Sequence, residues 1–257
     1  MNLIFILVSL LSTLSAYAIN FLPMPTTSHR SEVVEKAQYV LSYNEEHEVA
    51  NWVLTTLKPS MMKNCTSRSN SFRSDPNIST GSATLQDYKN SGYDRGHLIP
   101  AGDMKMSATA MSETFFLSNM TPQTGNFNQG QWQELESLVR AWIMKGTTTT
   151  IISGPILHKK LPKIGPTGVS VPKFHYKIIY QVKGKLSKMI AFLMEDKTPY
   201  GSLEAYSVSV DEIEDMTGWD FFAELDNDIE EDLESHVRSQ EWDFNSTFQY
   251  LPCTTSY

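Results

Sequence analysis

The sequence predicts an α+β fold, and three observations carry that prediction. Runs of strand length, rich in β-branched and aromatic residues, recur at residues 38–43, 50–54, 147–153, 173–182 and 188–194. Residues 130–144 behave differently: Trp132, Leu135, Val139, Trp142 and Ile143 recur at three- and four-residue spacing, the period of an amphipathic helix, and Gly146 stops it. No repeat, low-complexity run or Pro/Gly/Ser linker divides the chain. With 257 residues, 40% of them hydrophobic, it can build one large core, so residues 19–257 are read as a single domain.

Residues 1–18 stand apart. They are apolar or small throughout, carry no charged side chain and end in Ala16-Tyr17-Ala18, the small-x-small pattern of a signal-peptidase site. This predicts a signal peptide and a secreted, extracellular protein, and the absence of Arg argues against a mitochondrial transit peptide. The run is short for a membrane span and broken by Ser and Thr, so no stable membrane association is expected, with an uncleaved anchor as the alternative.

Pro23 and Pro25 make residues 19–30 a loop. The runs at 38–43 and 50–54 read as two strands joined by the acidic turn at 44–48. Residues 79–90 read as loop or irregular helix, and Met104, Met106 and Met111 as core filler. Ser209-Val210-Asp211-Glu212 is a capping-box pattern opening a short helix that ends at Gly218. Ile229, Leu233 and Val237, four apart, predict an acidic-faced helix over residues 226–240.

The net charge of −8 hides an asymmetry. Residues 51–190 hold 17 Lys and Arg against 7 Asp and Glu, whereas residues 191–257 hold 2 against 17. The basic part suits an anionic polymer and the acidic part repels one, although a solvated helix face would also account for the acidic residues. Cys65 and Cys253 form a pair in an oxidising compartment or stay as two buried thiols. Asn64, Asn77 and Asn245 head glycosylation acceptor patterns. With no Cys-x-x-Cys and no His-Glu-x-x-His, a zinc site is unsupported, as is a Ser or Cys nucleophile.

Asp94-Arg95-Gly96-His97 sets a carboxylate, a fixed cation and a titratable base beside an apolar strand end. Downstream lie Leu117-Ser118-Asn119, then Thr121-Pro122-Gln123, then Asn128-Gln129-Gly130 with Trp132 and Glu136. In this order the three boxes resemble the DNA/RNA non-specific endonuclease family, with weaker similarity over residues 39–222. The resemblance implies the ββα-metal nuclease fold, a central, mainly antiparallel sheet flanked by helices. It also implies endonucleolytic hydrolysis of DNA and RNA.

Phosphodiester cleavage needs a base for water, a cation on the non-bridging oxygens and help for the departing oxygen. The resemblance makes His97 the base and Asn128 the ligand of Mg²⁺, with Mn²⁺ a substitute. Glu136 accepts hydrogen bonds from surrounding water and Asn119 positions these groups. Asn119 also fits the acceptor pattern, and is expected to be unmodified in such a site. Arg95, with Arg68 or Arg73, would hold the phosphate, and Asp94 is placed on the substrate side. His158, near Lys159, Lys160 and Lys163, is a candidate phosphate contact. DNA and RNA are the expected partners, and a homodimer stays open. A nuclease scaffold that only binds nucleic acid, or a phosphodiesterase of another substrate, are the alternative classes.

Overall fold

The structure, a computed structural model, describes residues 24–26, 31–146, 148–183, 186–198 and 201–253. The segment read as a signal peptide lies outside them. In chain order the elements are β1 (Glu32–Glu35), β2 (Val40–Asn44), β3 (Val49–Leu57), α1 (Leu85–Tyr88), β4 (Asp94–His97), α2 (Ala108–Glu113), β5 (Met120–Gln123), α3 (Gly125–Asn128) and α4 (Gln131–Lys145). There follow β6 (Thr148–Pro155), β7 (Lys163–Ile164), β8 (Val169–Ser170), β9 (Phe174–Lys183), β10 (Leu186–Glu195), β11 (Ser207–Val208), α5 (Val210–Thr217) and α6 (Asn227–Glu234).

Side chains alternate across a strand, and here both faces are apolar, so the sheet needs cover on each side. Seven antiparallel strands pair in the order β1-β2-β3-β6-β9-β10-β11. Val53, Ile151, Ile179, Ile190 and Phe192 face Trp132, Leu135, Val139 and Trp142 of α4. Their neighbours Trp52, Leu54, Ile152, Ile178 and Ala191 face Val210 and Ile213 of α5, Leu233 of α6, and Phe221 and Phe222. The mainly antiparallel sheet flanked by helices is therefore present, with α4 on one face and the acidic helices on the other.

Most predicted elements hold. The hairpin forms as β2 and β3, and the helix predicted over 130–144 spans Gln131–Lys145, its Gly146 N–H closing on Trp142 and Ile143 carbonyls. Ser209 caps α5 by accepting from the Glu212 N–H, and Gly218 ends it at φ 69°, a left-handed conformation that favours glycine. Residues 79–90 contribute only the single turn of α1.

The last helix is a correction. It stops at Glu234 instead of reaching 240, because only Leu233 of the predicted apolar stripe finds the core. Ile229 and Val237 stay 47% and 48% exposed, leaving a longer helix without packing to hold it.

Cys65 and Cys253 form a disulfide. In the loop-entropy picture, closing so long a loop stabilises the fold by about 5 kcal/mol. The bridge ends a short clasp in which Asn64 N–H donates to Leu251 O and Leu251 N–H to Met62 O. Among the described residues, no helix is long and apolar enough to cross a membrane.

Candidate active site

A second, two-stranded sheet carries several of the residues named from the sequence. β4 pairs antiparallel with β5, His97 opposite Met120 and Asp94 opposite Gln123, and the chain then enters α3 and α4. Gly96 permits the pairing: a Cβ there would lie 2.0 Å from Cδ of the fully buried Gln123. Trp132 Nε1 donates to His97 O at 3.3 Å, fastening α4 to β4. Strand, strand and helix thus present their ends to one cleft.

That cleft, about 470 Å³, is lined by Arg68, Arg95, His97, Asn128, Glu136 and Arg140, with Gln129, Gln133 and Tyr250 at its sides. A neighbouring depression of about 590 Å³ shares Arg68, Arg95 and Asn128 and continues past Phe72, Tyr88, Lys89 and Tyr93. Five residues named from the sequence therefore meet in one place.

His97 is buried, its ring edge-on to Phe115 at 5.0 Å and 5.9 Å from Phe72. The same rings hold the arginines: Arg68 lies over Phe115 at 4.9 Å and Arg95 over Phe72 at 4.2 Å. Burial, then the charges of Arg68 and Arg95, push the His97 pKa down to about 3, so the ring is neutral at pH 7. Nε2 is sealed from solvent with no partner among the described residues. An unpaired buried nitrogen costs stability.

Asn128 closes α3, and its Nδ2 donates to Asp94 Oδ2 at 2.9 Å; Gln129 Nε2 donates to the same oxygen at 2.9 Å. With its nitrogen committed, Asn128 has its carbonyl oxygen left to act as a ligand. Asp94 thus holds the Asn128 amide, and it also lines the neighbouring depression beside Arg68 and Arg95. A carboxylate in that position would also repel a phosphate.

Asn119 lies outside the cleft lining. It is fully buried and its amide is spent, Oδ1 accepting from Ile99 N–H and Nδ2 donating to Ile99 O and Thr114 O. It pins the turn after His97 and does not reach the cleft. Arg73 is held away from the cleft: it donates to Ser71 O, Ser112 O and Ser112 Oγ and stacks on Phe116 at 3.9 Å. Of the two arginines the sequence left open, Arg68 is the one at the site. His158 and Lys159 line a separate depression with Glu45, Glu46 and Trp219.

Behind Glu136 lies a buried charge network that sequence reasoning missed. Arg140 Nη1 donates to Asp103 Oδ1 at 2.9 Å, and Lys177 Nζ donates to Leu98 O and Ser153 Oγ. Burial raises the Glu136 pKa, opposed by Arg140 and Lys177, and burial lowers that of Lys177. Arg140 was legible as one helical turn beyond Glu136. Lys177 was legible as a cation in the middle of a β-run that buries both faces. Tyr250, donating to Gly102 O at 2.9 Å, left no sequence signal.

Fold and site together define a nuclease of the ββα type. The chain belongs to the DNA/RNA non-specific endonuclease family, whose model matches residues 19–228. It is 35% identical over 214 residues to a nuclease of Nostoc sp., covering 79% of this chain and 77% of that one. It is 33% identical over 230 residues to the mitochondrial nuclease EXOG of Danio rerio, covering 83% and 67%. Among solved structures, EndoG in its complex with EndoGI superimposes with a TM-score of 0.73 at 29% identity, over 77% of this chain and 89% of that chain.

These relatives overturn one expectation. EXOG is named mitochondrial in Danio rerio, Xenopus laevis, Homo sapiens and Mus musculus, so the extracellular location read from residues 1–18 does not stand. The premise for glycans at Asn64, Asn77 and Asn245 goes with it. Residues 1–18, on which that expectation rested, lie outside the described residues.

Proposed function

We propose that this protein is a metal-dependent endonuclease that hydrolyses phosphodiester bonds of DNA and RNA with little sequence preference. The observation that carries the reading is the convergence of His97, Arg68, Arg95, Asn128 and Glu136 on one cleft. The donor set fits a hard divalent ion, Mg²⁺ or Mn²⁺: the free oxygen of Asn128, the Glu136 carboxyl nearby, and room for water. Such an ion, when bound, would offset charge on the phosphate and on the leaving oxygen.

The chain's own residues account for the rest. Burial does most to hold the His97 pKa down and Arg68 and Arg95 add to it; these two arginines draw in the phosphate, whose negative charge offsets their part. Binding therefore makes the imidazole more basic when water is to be deprotonated, and the charge of the resulting imidazolium is balanced by the phosphate. Glu136 orients water across the cleft, and Asp94 keeps the Asn128 oxygen in position. Contacts to phosphate rather than base edges leave sequence unread.

The test is degradation of plasmid and of RNA with and without EDTA. Chelation is expected to stop both reactions, and His97→Ala to lower the rate by roughly 100- to 10,000-fold. Asn128→Ala is expected to lose activity with the fold retained. A His97→Ala protein as active as the parent would overturn the assignment.

A further inference from the structure

On the sheet face opposite the catalytic cleft, α5 and α6 bring three carboxyl groups together. One oxygen from each of Asp211, Glu214 and Glu234 lies within 4.8 Å of the other two. Asp211 is exposed, Glu214 half-buried, and Glu234 only 4% exposed. Acidic side chains gather on many surfaces without consequence, but Glu234 is different. Its Oε1 is sealed from solvent and has no hydrogen-bond partner among the described residues. A carboxylate seldom occupies such a position without a cation or donor to meet it.

Among the described residues, the surroundings supply no such cation. The charges that act most strongly on Glu214 and Glu234 are all carboxylates, Asp211, Asp220 and Glu230 among them. Glu214 is already held, its Oε1 accepting from the Phe221 N–H at 2.6 Å, so its second oxygen remains for a ligand. Leu233 and Ile213 anchor both helices against the sheet.

We propose that Asp211, Glu214 and Glu234 bind a calcium ion that clamps α6 to α5. Oxygens on a sphere of Ca²⁺–O radius, about 2.4 Å, are at most about 4.8 Å apart, and no two of the three oxygens here exceed that separation. Ca²⁺ also accepts irregular oxygen sets completed by water, whereas Mg²⁺ demands a smaller octahedron. The site is independent of the nuclease chemistry, since α4 and the catalytic residues pack on the other face. It gives a role to the acidic C-terminal part that substrate binding does not.

The experiment is thermal unfolding of the full chain in constant saturating Mg²⁺, with added Ca²⁺, for the parent, Glu234→Gln, Glu214→Gln and Asp211→Asn. At about ten times its Kd, Ca²⁺ is expected to raise the parent Tm by roughly 3–6 °C. The shift should vanish in Glu234→Gln and Glu214→Gln and weaken in Asp211→Asn, whose exposed position spares the packing. Cleavage of DNA in Mg²⁺ alone should be unchanged in all three. An Asn128→Ala protein, altered only at the cleft, should retain the calcium shift. No calcium shift in the parent, or an equal shift in all three carboxylate variants, would overturn the proposal.

Discussion

Asp94→Ala tests whether the cleft depends on a clamp or only on its liganding atom. Asp94 Oδ2 accepts from Asn128 Nδ2 and Gln129 Nε2, each at 2.9 Å, and is half-buried. A hydrogen bond to a charged group contributes about 1.5–3 kcal/mol, and partial exposure puts this one near the lower end. Without it, Asn128 can turn its amide and present nitrogen instead of oxygen to a cation. At about 1.4 kcal/mol per factor of ten, the metal concentration for half-maximal activity should rise about 10- to 100-fold. The rate at saturating metal should return to within a few-fold of the parent, since His97, Arg68 and Arg95 are untouched. Asp94→Asn keeps an accepting oxygen without the charge and should fall between the two. The assay is initial-rate plasmid cleavage across a Mg²⁺ titration. An Asp94→Ala protein with the parent's metal dependence would refute the clamp, and one with a lost rate at every concentration would place Asp94 in the chemistry itself.

Three further outcomes follow from the same geometry. Arg68→Ala should raise KM and cut the cleavage rate by about two orders of magnitude, whereas Arg73→Ala should lower Tm yet leave cleavage nearly intact; rate measurements and thermal melts on both variants decide it. His97 and His175 are buried uncharged, with pKa values pushed to about 3 from 6.5, so the unfolded chain takes up their protons first as pH falls. Stability is therefore full above pH 6.5 and declines toward pH 3, by about 2 kcal/mol per ring between 6.5 and 5; urea unfolding at pH 7 and pH 5 measures this, and equal stabilities would contradict it. Cys65→Ser with Cys253→Ser should cost about 2–5 kcal/mol in urea unfolding and weaken substrate binding, because Arg68 lies three residues from the bridge.

Much of the site was readable because chemistry concentrated it in short boxes. Asp94, Arg95 and His97 stand within four residues, and Asn128 and Glu136 flank one helix entrance whose period is visible in Trp132, Leu135 and Val139. Roles were harder to read than positions. Nothing local distinguishes Arg68 from Arg73; the difference lies in Phe115 and Phe116, adjacent in sequence, which hold one arginine in the cleft and the other away from it. Asn119 stands in a catalytic-looking box, yet its side-chain hydrogen bonds all run to the backbone of Ile99 and Thr114.

The sequence alone determined the α+β class, the strand runs, the α4 period, the turn chemistry at Ser209 and Gly218, and the membership of the three boxes. These depend on periodicity and short-range geometry, which neighbouring residues carry in themselves. Only the tertiary structure decided that Lys177, Arg140 and Asp103 stand behind Glu136, that Tyr250 returns to the cleft, and that the acidic helices sit on the sheet face away from it. Those facts join residues far apart in the chain, and sequence spacing does not encode which face of a shared sheet each one meets. The acidic part of the chain and the basic cleft can coexist because a sheet stands between them.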